Sequence, residues 1–133
     1  MSVLLDTHVW IWWLTPRSAL TARERAALDA AAERGPLALA AISMLEAQML
    51  YAKRRLELPM PFAQWLARAT DERMLRVLPL DREVVVAVNE LPAKFHGAPA
   101  DRLIAATARA HALPLATRDV RLRRSGLVRV WKP

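Results

Sequence analysis

Four acidic residues hold the chemistry within reach of this chain. Asp6, Glu46, Asp101 and Asp119 are far apart in sequence, yet each stands where an apolar strand-like run ends or the helix beyond it begins. In a parallel α/β sheet those positions share one edge, so the four carboxylates should converge. Oxygen ligands gathered this way suit a hard divalent cation. The chain has 20 Lys and Arg against 13 Asp and Glu, a net charge of +7, and a basic surface attracts phosphate backbones. Metal-binding carboxylates in a basic protein point to a metal-dependent nuclease.

Each acid also has a purely structural reading. Asp6 suits the cap of the following helix, although a buried, unpaired carboxylate costs on the order of several kcal/mol. Ser43 and Glu46 have the S-x-x-E spacing of a capping box. Asp101 suits a helix first turn, where the dipole stabilises an acid by about 0.3–1 kcal/mol, and Asp119 suits a turn. The site reading gains from the coincidence that all four fall on one expected edge, while the remaining acids lie mostly on helix faces or in connections.

The elements that must position them alternate. Val3 to Asp6 reads as a short strand and His8 to Leu14 as a helix. Thr21 and Glu24 form a capping box before a helix that stops at Gly35 and Pro36. Leu37 to Ile42 is an apolar run without alternation, as expected of a strand buried on both faces. A helix follows from Ser43 to about Arg55, broken by Pro59 and Pro61, then another from Phe62 to Arg73 with Trp65 and Leu66 inward. Leu75 to Leu80 reads as a strand, and Asp81 caps a helix to Glu90 whose Val84–Val86 run favours strand instead. After the loop from Pro92 to Pro99, Asp101 opens a helix to His111; Leu113 to Thr117 and Leu127 to Trp131 read as the last strands.

This alternation predicts a three-layer α/β fold with a mostly parallel central sheet flanked by helices. A length of 133 residues suits a single domain over 1–133. Cysteine is absent, which excludes disulfides, thiolate metal sites and a cysteine nucleophile. The apolar opening MSVLLDTHVWIWWL lacks a basic leading region and contains Asp6, and no run reaches the length of a membrane span, so the expectation is a cytoplasmic protein.

Four segments together carry a family resemblance: Leu4-Leu5-Asp6-Thr7-His8, Ile42-Ser43-Met44-Leu45-Glu46, Pro99-Ala100-Asp101-Arg102-Leu103-Ile104-Ala105-Ala106-Thr107-Ala108, and Ala116-Thr117-Arg118-Asp119. Their order and spacing resemble the PIN-domain ribonucleases, in particular VapC-type toxins of toxin–antitoxin pairs, over essentially the whole chain. The resemblance implies Mg²⁺- or Mn²⁺-dependent endoribonuclease activity, a homodimer, and inhibition by a cognate VapB-like antitoxin. It maps the family's acidic quartet onto Asp6, Glu46, Asp101 and Asp119. Two departures stand out: Leu45 replaces an aromatic residue, and Ala98 stands where many relatives have an acid, leaving one-metal and two-metal mechanisms open.

Metal held by Asp6 and Asp101, with Glu46 and Asp119 direct or through water, would polarise the scissile phosphate and acidify an attacking water. Thr7 and Thr117 are candidate hydroxyl supports, or simply turn and cap residues. Arg102, Arg118, Arg121, Arg123 and Arg124 are candidate RNA contacts, with antitoxin binding a competing use of that surface and Arg129 and Lys132 close by in sequence. His8 reads as a helix-start residue before a ligand, His96 and His111 carry no signal, and Trp10 and Trp13, at i,i+3, read as core or dimer contact before base stacking. An aspartyl-phosphate phosphatase would need an acid where His8 stands, and a receiver domain a paired acid beside Asp6 and a late Lys. The alternative that remains is a non-catalytic RNA- or partner-binding module of the same fold.

Overall fold

Short apolar runs that end in a polar residue build the centre of the molecule. In the computed structural model, which describes residues 2–95 and 97–133, four strands, β1 (Leu4–Leu5), β2 (Leu37–Ala40), β3 (Leu75–Leu78) and β4 (Leu115–Ala116), form a sheet in the order β3-β2-β1-β4. All pairings are parallel, with Leu5 opposite both Leu39 and Ala116. Burial on both faces explains the lack of polar alternation in β1 and β2.

Successive residues of β1 feed opposite cores. Val3 and Leu5 pack with Leu37, Leu39 and Leu75 against α1 (Thr7–Trp13), α2 (Ala22–Arg34) and α4 (Phe62–Ala69). Leu4, Ala38, Ala40 and Leu115 pack against α5 (Arg82–Glu90), α6 (Pro99–Ala110) and α7 (Val120–Arg124). The remaining helix, α3 (Ala41–Ala52), leaves β2 without a loop and touches both α1 and α6. The expected three-layer α/β architecture is therefore present, and its sheet is parallel throughout. Among the described residues no helix is long and apolar enough to cross a membrane.

Local chemistry accounts for the helix starts. Thr21 and Glu24 form the expected capping box of α2. Asp81 accepts from Val84 N at 3.1 Å and fixes α5, overriding the β preference of a valine run in which Val84 is buried while Val85 and Val86 face solvent. Trp10 and Trp13 both enter the core, Trp10 donating to Ala69 O at 2.9 Å and Trp13 to Asp29 Oδ1 at 2.8 Å.

Several boundaries differ from the sequence expectation. The third helix starts at Ala41 rather than Ser43, α4 ends at Ala69 rather than Arg73, and α6 starts at Pro99 rather than Asp101. Proline at a first helical position lacks only a donor that would have no intrahelical partner. The expected strand from Leu127 to Trp131 is a single parallel bridge of Val130 to Leu115, and the helix α7 before it was not anticipated.

The loop into α6 passes so close to the helix that a Cβ on Gly97 would lie 2.9 Å from Asp101 Cβ and 2.9 Å from Phe95 Cε1. Gly97→Ala is therefore expected to destabilise the protein by about 1–3 kcal/mol, the usual cost of overpacking. Thermal melts measure this, and an unchanged midpoint would mean that the loop yields freely.

Candidate active site

Strand β1 ends at Leu5, and Asp6 turns the chain into α1 as its N-cap, its Oδ1 accepting from Thr7 N at 2.8 Å. Parallel pairing of Leu5 with Ala116 brings the next residues, Asp6 and Thr117, side by side. The Thr117 hydroxyl donates to Asp6 Oδ2 at 2.6 Å and accepts from Asp119 N at 3.0 Å. Asp6 is only 8% exposed, so these bonds offset a burial that would otherwise be expensive.

Glu46 reaches the same place from α3. The Thr7 hydroxyl donates to its Oε1, and Thr7 Oγ1 also lies 2.8 Å from Ser43 Oγ. One hydroxyl proton cannot serve both oxygens, so Thr7 gives to the carboxylate and receives from Ser43. The capping-box reading of Ser43 and Glu46 is overturned, because α3 begins at Ala41 and has no side-chain cap. Ser43 instead supports the threonine that holds Glu46, a role its sequence position did not suggest.

The other two acids are held at helix starts. Asp101 occupies the first turn of α6, where its Oδ2 accepts from Ala98 N at 3.1 Å. Asp119 caps α7, its Oδ1 accepting from Arg121 N at 2.8 Å and Leu122 N at 3.4 Å. Arg121 also places a guanidinium between them, 3.3 Å from Asp101 Oδ2 and 3.6 Å from Asp119 Oδ2.

All four expected acids line one open recess of about 460 Å³, together with His8, Trp12, Arg118 and Arg121. They sense one another: burial raises the Asp6 pKa above its ordinary 3.8 and the charge of Asp101 adds to this. Burial likewise raises Glu46 above 4.5, with Asp6 and Asp101 contributing. As the side chains stand, no three Asp, Glu or His groups among the described residues are grouped to hold one ion. Asp6 and Glu46 are joined through Thr7, and Asp101 and Asp119 through Arg121. The donor set is nevertheless all hard oxygen, and Mg²⁺ characteristically keeps several waters and takes one or two carboxylates. The residues present fit a hydrated divalent ion.

The five candidate arginines divide. Arg118 and Arg121 line the recess, Arg118 tied to Glu24 and to Ala19 O at 3.0 Å. Arg124 lines an adjoining apolar hollow with Lys94 and Phe95. Arg102 donates to Phe95 O at 2.7 Å and Arg123 to Thr117 O at 2.9 Å, so both brace the loops around the acids. Among the histidines, His8 lies on the recess wall, His111 ends α6 at the opposite end from Asp101, and His96 falls outside the described residues. Sequence reasoning missed Trp12, whose only signal is its place one turn after His8 and off the Trp10–Trp13 face.

Comparison with known proteins gives a consistent picture. The PIN domain matches residues 3–126. Ribonuclease VapC22 of Mycobacterium tuberculosis is 38% identical over 122 residues, 92% of this chain and 90% of that protein. Among solved structures, FitAcB from Neisseria gonorrhoeae superposes with a TM-score of 0.72 at 30% identity, covering 98% of this chain and 97% of that one. VapBC2 from Rickettsia felis, bound to a DNA fragment from their promoter, shares the fold with a TM-score of 0.75 at 17% identity, covering 98% of both chains.

The raised carboxyls make stability depend on pH in a definite sense. A group whose folded pKa is raised favours the native state when protonated, so the contribution of Asp6 and Glu46 is full below 3.8 and 4.5 and is lost as pH rises through their folded values. Glu24, held at about 2 by Arg118, contributes above 4.5 and loses this as pH falls. With metal chelated, native stability is expected to decline as pH rises towards neutrality, and Asp6→Asn should flatten that decline. Denaturant melts across pH in EDTA measure both curves. Superimposable curves would show that Asp6 is not held against its own burial.

Proposed function

The chain belongs to the PIN-domain family and, within it, to the VapC-type ribonuclease toxins, and we propose that it hydrolyses RNA phosphodiester bonds at the recess lined by Asp6, Glu46, Asp101 and Asp119 with bound Mg²⁺ or Mn²⁺. The observation that carries this reading is that four acids from distant parts of the chain line a single recess in a protein of net charge +7.

When bound, the ion supplies Lewis acidity at the scissile phosphate and lowers the pKa of a water. Asp6 and Asp101 are the proposed ligands, with Glu46 and Asp119 direct or through water, around one ion or two. Thr7 and Thr117 fix the oxygens of Glu46 and Asp6 so that little reorganisation is needed. A carboxylate not engaged with the ion takes the proton of the attacking water. Water adds to phosphorus, the bridging P–O bond breaks, and the leaving oxygen gains a proton. Arg118 and Arg121 are placed to attract the phosphates that the acids would repel, and Arg124 with Lys94 extends the basic lining into the adjoining hollow.

The VapBC2 structure from Rickettsia felis and the similarity to VapC22 support a VapB-like antitoxin as partner. Leu45 and Met49, 53% and 45% exposed and one turn apart on α3, offer an apolar strip for a protein contact, the homodimer included. One observation favours the non-catalytic alternative: Arg121 already neutralises Asp101 and Asp119. Cleavage assays separate the two.

Free of antitoxin, the protein is expected to cleave RNA with Mn²⁺ or Mg²⁺ and to stop with EDTA. Asp6→Asn and Glu46→Gln should remain folded while cleavage falls by roughly a hundredfold or more, the scale of losing a charge-stabilising group. The amide oxygen introduced by Glu46→Gln can still accept from Thr7, so the melting point of that variant in EDTA should stay near that of the wild type. Metal-independent cleavage, or full activity in either variant, would reject the mechanism.

A further inference from the structure

Helix α1 holds three tryptophans, and only two of them have a structural purpose that accounts for the whole ring. Trp10 is fully buried, donates to Ala69 O at 2.9 Å and packs on Trp65 with centroids 5.3 Å apart. Trp13 is buried and donates to Asp29 Oδ1 at 2.8 Å. Trp12 differs in both respects. It is half-buried on the wall of the acid recess, and no described residue accepts a hydrogen bond from its indole N–H.

We propose that Trp12 is the stacking platform for a nucleobase adjoining the scissile phosphate, which makes it a substrate-positioning residue of the nuclease proposed above, on whose reading it rests. Its indole borders the carboxylate-lined recess, and there the Arg118 guanidinium lies over the ring. A nucleobase suits it better than a phosphate, because stacking needs an apolar face and no counter-charge, and every base has one. The platform is held in place: one side packs against the core that contains Trp10 and Trp13. His8 lies one turn earlier with ring centroids 5.8 Å apart, and the Arg118 guanidinium lies over the Trp12 ring, 5.7 Å from its centroid. Glu24 and Ala19 O bind that guanidinium on a side chain 40% exposed. A base stacking on Trp12 would take the place of that guanidinium over the ring and leave it to meet the adjoining phosphate, while the core-packed indole would lose little freedom on binding.

The test uses an RNA whose cleaved bond has been mapped, and the same RNA with an abasic nucleotide on either side of that bond. Trp12→Leu is expected to lower kcat/KM on intact RNA by roughly tenfold to a hundredfold, the scale of one lost stack. Trp12→Phe should restore most of it. On one of the abasic substrates the wild type should fall to the level of Trp12→Leu, and that variant should lose little more. In the Glu46→Gln background with Mn²⁺, intact RNA should quench tryptophan fluorescence, and adding Trp12→Leu should abolish the quench. Equal losses on intact and on both abasic RNAs, or a quench that survives without Trp12, would overturn the proposal. If Trp12→Leu does not fold, Trp12→Phe, the abasic substrates and the wild-type quench still decide. A parent protein that binds no RNA would sink the nuclease reading itself and this proposal with it.

Discussion

Four carboxylates share one recess at the edge of a small sheet. That constraint explains much of the local structure. Three of the four are placed at helix starts: Asp6 caps α1, Asp119 caps α7, and Asp101 binds the chain ahead of α6. Exposed N–H groups and the positive end of the helix dipole favour a negative charge there. The fourth, Glu46, comes from the second turn of α3 and is held by the Thr7 hydroxyl instead. Cap and ligand are therefore not rival roles for these acids. For Asp6 and Asp119 the strand-to-helix turn that makes an acid a good cap also brings it to the recess.

Burial first, and then the charge of neighbouring carboxylates, raise the pKa values of Asp6 and Glu46, while Arg121 stands between Asp101 and Asp119. On the proposed reading, an ion entering the recess would ease both the burial of these charges and their mutual repulsion. On the same reading the net charge of +7 would act at longer range, drawing a polyanion towards a recess whose centre would otherwise reject it. Arg118 joins the two scales: it is tied to Glu24, close to the Trp12 ring, and on the wall of the recess.

The sheet and its edge were legible because β1 and β2 are apolar runs with no polar alternation, closed by turn or helix signals. Register was not legible, so the meeting of Asp6 with Thr117 was anticipated only as an edge position. Helix α7 escaped notice because Val120–Arg124 is five residues long with one buried side chain, Leu122, too little for a periodic signal. Leu127 to Trp131 reads as a strand by β propensity, yet it forms one bridge to Leu115. Ser43 and Glu46 matched a capping box by spacing alone, and the absence of any loop between β2 and α3 moved the helix start upstream of both. Trp12 lies off the face shared by Trp10 and Trp13, but that spacing alone does not show that it lines the recess.

Mn²⁺ binding to metal-stripped protein, followed by calorimetry or by the electron spin resonance of the ion, asks directly whether the four acids act as one site. Wild type is expected to bind Mn²⁺ saturably and to gain melting temperature with its concentration. Asp6→Asn, Glu46→Gln, Asp101→Asn and Asp119→Asn should each weaken binding, by about tenfold to a hundredfold for a ligand or its close support. Wild type that binds no Mn²⁺, or four variants that bind it as tightly as wild type, would contradict a shared metal site.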